Sequence, residues 1–190
     1  MNVKREKMLC SIAAVLTDQP RLTMEQVANA IGISRATLHR LFPSRDAVIE
    51  EIAALALARS AQAIDTVALD VGPADEVLRR LVDSFFPNAE LYLFLHRTEQ
   101  QCSASHGHDD EWAPHEARIR ALFRRGQEEG TLRIDMPVQW MLDSLGALLF
   151  AAAEAVRAGR LASAEAPAMV SAMLLDGVRR RAAPHGPAHH

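Results

Sequence analysis

The chain has 190 residues, 49% of them apolar and 24% charged, enough for a buried core in one large domain or in a small domain joined to a medium one. No apolar run approaches the ~20 residues of a bilayer-spanning helix, so no membrane partner is expected. Two cysteines, Cys10 and Cys102, make no disulfide framework, and the expected compartment is the cytoplasm.

The net charge of −3 hides a division. Residues 1–45 carry seven Lys/Arg against three Asp/Glu, a net +4, and residues 46–190 carry 14 against 21, a net −7. A basic head on an acidic body is expected to meet a polyanion with the head alone.

The chain opens basic and then apolar, as a signal peptide would. Its apolar stretch is only Met8 to Leu16, has helical periodicity and is followed by no small-x-small cleavage pattern, so a first helix over Lys4–Thr17 is expected instead. Pro20 ends it. Thr23-Met24-Glu25-Gln26 has the form of a capping box, which starts a second helix running to Ala30. Gly32 can supply the left-handed turn that closes it. Ser34 caps a third helix, Arg35–Phe42, and Ser44 caps a fourth that continues to about Leu69. After Gly72-Pro73, helices are expected at Ala74–Phe86, Glu90–Gln101, Pro114–Glu129, Pro137–Ala158 and Glu165–Val178. A polar loop, Cys102–Trp112, and a connection at Gly130–Pro137 lie between them. The brief alternation at Thr131–Ile134 reads as a connection rather than a strand, and 179–190 reads as a disordered tail.

The most informative stretch is LTMEQVANAIGISRATLHRLF. Ala28 lies four residues before Gly32 and Leu38 six after it. A small residue lets the two helices approach, glycine makes the tight turn, and an apolar residue locks the pair, with Val27, Ile31 and Ile33 completing the shared core. Arg35, Thr37, His39 and Arg40 are left on or near the outer face, the geometry that presents a second helix to a DNA major groove.

From Lys4 to Leu57, and above all in the pattern T-x-x-x-V-A-x-x-x-G-I-S-R-A-T-L-x-R-x-F-x-S-R-x-x-V that begins at Thr23, the chain resembles the tetracycline-repressor (TetR) family of transcriptional regulators. The resemblance implies an all-α fold: an N-terminal three-helix, helix-turn-helix DNA-binding domain (1–45) and a C-terminal helical bundle for ligand binding and dimerisation (46–178). It implies a homodimer on a palindromic double-stranded DNA operator, released by a small-molecule effector, with no enzymatic activity and no cofactor. By position, Thr23 would contact phosphate, Arg35 and Ala36 would face bases, and Thr37 would reach either. Arg40 suits a guanine. Arg45 stands where the family often has a phosphate-binding lysine, and His39 where it often has a phosphate-binding tyrosine. Leu41 replaces a packing aromatic. A glycine usual near Gln19 or Pro20 is missing, so that turn must be made otherwise.

In the body, an effector cavity must draw on the large apolar groups. The candidates are Phe85, Phe86, Tyr92, Leu95, His96, Trp112, Phe123, Trp140 and Met141, with Arg97, Gln100 and Asp143 as further polar groups, favouring a hydrophobic ligand. Small residues at Gly146, Ala147, Ala151, Ala152 and Ala155, and the pair Met169 and Met173, are compatible with a dimer face. The loop offers a different chemistry. Cys102, His106, His108 and His115, with neighbouring acids, are metal-capable, and a helical metal-binding protein or metalloenzyme is the alternative reading, although the spacing matches no standard zinc pattern. A helical protein-interaction module is a third.

Overall fold

The computed structural model describes residues 3–101 and 109–179, in which nine α-helices carry the fold and no β-strand occurs. The head consists of α1 (Val3–Asp18), α2 (Met24–Ala30) and α3 (Arg35–Leu41). The long α4 (Arg45–Val67) leads into a body made of α5 (Ala74–Phe85), α6 (Ala89–Gln101), α7 (Asp109–Glu128), α8 (Val138–Arg157) and α9 (Ala166–Val178). A single 3-10 turn, Phe86–Asn88, joins α5 to α6.

Short side chains start the helices of the head. Thr23 Oγ1 accepts the Gln26 amide at 3.3 Å while Gln26 Oε1 accepts the Thr23 amide at 2.8 Å, closing the capping box. Ser34 Oγ accepts from Thr37 N and Ser44 Oγ from Ala47 N, both at 3.1 Å. Gly32 turns the chain between α2 and α3 at φ +74°, and the Ile33 amide returns to the Ala28 carbonyl at 3.0 Å. These bonds are local, which is why their positions agree with the sequence to within a residue.

Other boundaries differ. α4 stops at Val67, where Ala68 adopts a left-handed conformation at φ 51°. Phe86 leaves the fifth helix for the 3-10 turn. α7 begins at Asp109 rather than Pro114, so Pro114 lies inside it. A proline there removes one backbone donor and would ordinarily mark a helix start. The extension instead puts Trp112 on the helix. The rest of the expected polar loop, 102–108, and the tail beyond Arg179 lie outside the described residues.

One apolar core runs through both parts. Leu9, Ile12 and Leu16 of α1, Val27, Ala28 and Leu38 of the hairpin, and Val48, Ile52 and Ile64 of α4 continue into Leu78, Leu81, Phe123, Leu145 and Leu174. The connection after α7 closes on the end of α9: Leu132 is fully buried and bridges to Arg179, and Arg133 N donates to the Val178 carbonyl at 2.8 Å.

Gly126 makes that closure possible. A Cβ there would meet Leu132 Cγ at 2.6 Å and Ala74 Cβ at 2.9 Å. Glycine to alanine inside a helix ordinarily gains up to ~1 kcal/mol. Overpacking a closed contact costs roughly 1–3 kcal/mol, so the clash decides the sign. Gly126→Ala should lower the urea midpoint; a midpoint at or above wild type would show that the contact yields without cost.

Candidate functional site

On α3, Arg35, Ala36, His39 and Arg40 are exposed and Thr37 is half-buried. Arg35 reaches Glu25 at 3.5 Å, but the two side chains are 71% and 60% exposed, so solvent or another anion can replace that pairing. Arg40 makes no hydrogen bond or ion pair among the described residues. The Thr37 hydroxyl lies 2.8 Å from Ser34 Oγ. Thr23 stands exposed at the start of α2 with its hydroxyl engaged in the capping box. Helix spacing thus gathers one cationic outer face while Leu38 points into the core.

Two arginines of the basic segment are internal braces. Arg45 donates to the Pro20 carbonyl at 2.8 Å and the Leu22 carbonyl at 3.2 Å, holding the α1–α2 turn that lacks a glycine. Arg5 grips Glu51 with two nitrogens and donates to the Leu41 carbonyl at 3.3 Å. Its guanidinium lies 4.6 Å from the centre of the Phe42 ring. The Glu51 bond pushes the Arg5 pKa further up. One side chain therefore ties α1, the end of α3 and α4 together.

In the body, α4 to α8 line a cavity of about 300 Å³ that is partly open to solvent. Phe85, Tyr92, Leu95, His96 and Trp112 are brought together on its wall. Phe86 is not: it sits in the 3-10 turn, packed on the core from outside. Phe123 and Met141 are fully buried in the core and do not line the cavity: each lies one helical turn beyond a lining residue, Ile119 on α7 and Leu145 on α8, past the end of the space. Trp140, 61% exposed, lies on the outside of the body. Arg97 and Asp143 also face elsewhere: Arg97 donates to the Thr17 carbonyl at 3.1 Å and to Glu154 at 2.7 Å, and Asp143 accepts from Gln139 at 2.9 Å. The Gln100 side chain lies outside the described residues.

The wall also holds residues outside the cavity candidates, among them Ser60, Glu116, Ile119, Leu142, Leu145, Leu149 and Phe150, together with Gly146, grouped above with the small residues compatible with a dimer face. Ser60 Oγ donates to the Tyr92 hydroxyl at 2.9 Å. Tyr92 stands edge-on to Phe85 at 5.9 Å and to Trp112 at 5.8 Å, and His96 stacks on Phe150 at 4.5 Å. Glu116 pairs with Arg120. His115, considered above as a metal ligand, lines this cavity. Cys102, His106 and His108 lie outside the described residues, and among the described ones no three His, Cys, Asp or Glu side chains converge as a metal site.

Burial pushes the Tyr92 pKa up to about 12, against the opposing pull of the Ser60 hydrogen bond and the Arg59 charge. The hydroxyl is therefore neutral in the fold. Because the folded pKa exceeds the ordinary 10, folded protein holds a proton that unfolded chain releases, so the contribution is complete below pH ~10 and is lost as pH rises toward ~12. Tyr92 is the chain's single tyrosine. The tyrosinate absorbance of the folded protein should rise about two pH units above that of the unfolded chain; a midpoint near 10 would show an open, hydrated hydroxyl.

Three comparisons bear on this arrangement. The model of a family described as bacterial regulatory proteins, tetR family, matches residues 20–52, the span that holds α2, α3 and the start of α4. Over 173 residues the chain is 29% identical to the HTH-type transcriptional regulator NfxB of Pseudomonas aeruginosa, covering 90% of this chain and 92% of that protein. Over 160 residues it is 29% identical to the HTH-type transcriptional repressor LfrR of Mycolicibacterium smegmatis, covering 82% of this chain and 80% of that one. The crystal structure of the TetR-like regulator LfrR from Mycobacterium smegmatis in complex with proflavine shares the fold, with a TM-score of 0.68 at 24% identity, covering 94% of this chain and 97% of that one.

Proposed function

We propose that this chain, a DNA-binding transcriptional regulator of the tetR type, is a repressor that holds a palindromic operator as a homodimer and lets go when a small, largely apolar effector fills the cavity. The observation that carries the reading is the pairing, around one core, of an exposed cationic recognition helix with an aromatic-walled cavity. The crystal complex of LfrR with proflavine supports a small aromatic ligand for a body of this fold.

In this reading α3 lies in the major groove. Arg35 and Ala36 face bases, Arg40 takes a guanine edge, and Thr37 reaches a base or a phosphate. Thr23 and His39 meet phosphates, as does Arg45 with the donors its bracing role leaves over. Residues 1–45 act as the DNA-binding unit, 46–178 as the effector and dimerisation unit, and α4 serves as the hinge because it belongs to both.

A dimer is supported by the apolar side chains left outside α8 and α9: Trp140, Met169 at 52% and Met173 at 67% exposure. Large apolar side chains left exposed on two neighbouring helices mark a surface for another protein, and a two-fold pairing of α8 and α9 would cover them. Coupling between the cavity and DNA follows from α6, which gives Tyr92, Leu95 and His96 to the cavity and Arg97 to the end of α1. Arg157 of α8, with only 11% of its side chain exposed, grips Asp18 at the same end and approaches Glu90 at 3.7 Å. An effector that fits a shifted α6 better than the one shown here would bias the head away from its DNA-binding position, by as much as its differential affinity for the two arrangements.

Binding of labelled DNA from upstream of the chain's own gene, measured against random duplex over a salt series, tests the DNA half. Preference for the upstream DNA is expected, and Arg40→Ala should cost about tenfold or more while leaving the thermal midpoint unchanged. Equal binding of both DNAs at low salt would remove the reading. Sedimentation tests the other half: wild type should run as a dimer, and Met173→Glu as a monomer with the same helix content. A wild-type monomer at all concentrations would overturn the two-fold arrangement.

A further inference from the structure

A smaller crevice, of about 210 Å³, lies where the head meets the body, between the end of α1, the start of α4 and α6. Leu16, Ile49 and Phe94, each no more than 3% exposed, give it an apolar floor. Two guanidinium groups stand at its wall. Arg45 lies 2.8 Å from the Pro20 carbonyl and Arg97 3.1 Å from the Thr17 carbonyl, and Pro20 and Thr17 both line the space.

The charge of this crevice is out of balance. Arg5, Arg59, Arg97 and Arg157 also brace the head and its junction with the body, and each reaches a carboxylate. Arg45 has the Pro20 and Leu22 carbonyls but no carboxylate among the described residues. An arginine taken partly out of water ordinarily keeps an acid partner, because neutral carbonyls compensate its lost hydration only in part. With Glu154 held by Arg97, two cations stand against one acid.

Donors remain to meet an anion. A guanidinium carries more N–H groups than either arginine uses: Arg45 donates to two carbonyls, and Arg97 to one carbonyl and Glu154. The hydroxyls of the wall add none, since Thr17 donates to the Ala13 carbonyl and Thr98 to the Phe94 carbonyl. The side-chain donors left free on this wall are therefore cationic. The body cavity is opposite in kind, for no Lys or Arg lines it.

We propose that the crevice is a ligand site separate from the body cavity, and that it takes a small monocarboxylate with a single ring or a short chain. The carboxylate lies between Arg45 and Arg97, and the apolar part rests on Leu16, Ile49 and Phe94. The ligand thereby ties the start of α4 to α6. It also neutralises Arg45, so it weakens the hold on DNA; this consequence alone rests on the reading of Arg45 as a phosphate contact.

Benzoate and benzamide, a matched pair with and without the charge, test this on the full chain by calorimetric titration at fixed ionic strength, with acetate for comparison. Wild type should bind benzoate about tenfold or more tighter than benzamide, the worth of a charge-assisted hydrogen bond, and tighter than acetate, which lacks the apolar part. Arg45→Gln should abolish the preference for benzoate over benzamide. Because Arg45 also braces the α1–α2 turn, Thr98→Phe gives an independent reading. The Thr98 hydroxyl bonds only within its own helix, and the larger ring fills the crevice, so benzoate affinity should fall about tenfold with helix content retained. Gly146→Leu, which fills the body cavity instead, should leave benzoate affinity unchanged. Equal binding of benzoate and benzamide, acetate binding as tightly as benzoate, no binding of benzoate at millimolar concentration, or affinity that survives Thr98→Phe would each overturn the site. DNA binding read in parallel should weaken with benzoate, its salt dependence shallower by about one phosphate contact per head, and should not respond in Arg45→Gln. Benzoate bound through Arg45 with DNA affinity unchanged would overturn the competition with phosphate while the ligand site stands.

Discussion

The burial of α1 on two sides at once governs how head and body can move. Leu9, Ile12 and Leu16 are each no more than 1% exposed, and the helix that carries them packs against both α4 and α6. Ordering such a helix costs conformational entropy that only its contacts offset, so it follows whichever neighbours hold it. α3 is fastened to the same unit by Leu38 and by Arg5, which spans Leu41, Phe42 and Glu51. The head is thus one rigid piece hung on α1 and α4 rather than a module on a free linker.

That constraint gives α6 its importance. Tyr92, Leu95 and His96 line the cavity, while Phe94, Arg97 and Thr98 face the crevice beside Leu16 and Thr17. The two sets interleave along one stretch because successive residues on a helix point about 100° apart. A rotation or slide of α6 therefore changes both surfaces together. Close-packed protein interiors move between discrete arrangements rather than deforming smoothly, which suits a switch.

What could be read in the sequence was what is decided locally. Thr23, Ser34 and Ser44 each complete a hydrogen bond three residues on, and Gly32 meets a backbone requirement within its own turn, so their types and spacing were sufficient signals. Arg5 and Glu51 lie 46 residues apart, and nothing in either neighbourhood announces the pairing. The cavity wall was legible in part: the large residues of α6 were found, whereas Trp140 and Met141, adjacent on α8, differ by facing outward and inward, a matter of how that helix is rotated in the bundle. Ser60, Gly146 and the placement of His115 depend on five helices meeting, and residue type carries no trace of that. The charge division survives in altered form. Arg5 and Arg45 stabilise the head itself, so the outer face of α3 proposed to meet DNA has fewer cations than +4 implies, Arg35 and Arg40 among them.

The chain has two tryptophans, and the fold separates them: Trp112 stands in the cavity wall against Tyr92, and Trp140 lies on the outer face of α8. Indole emission depends on local polarity and on nearby quenchers, so the protein carries two built-in optical probes with different views. One looks at what occupies the interior and the other at what covers the exterior. A variant keeping only Trp112 would report occupancy without interference from association, and one keeping only Trp140 would report association without interference from occupancy. The two events that regulation must link could then be timed separately in the same molecule, without attaching a dye.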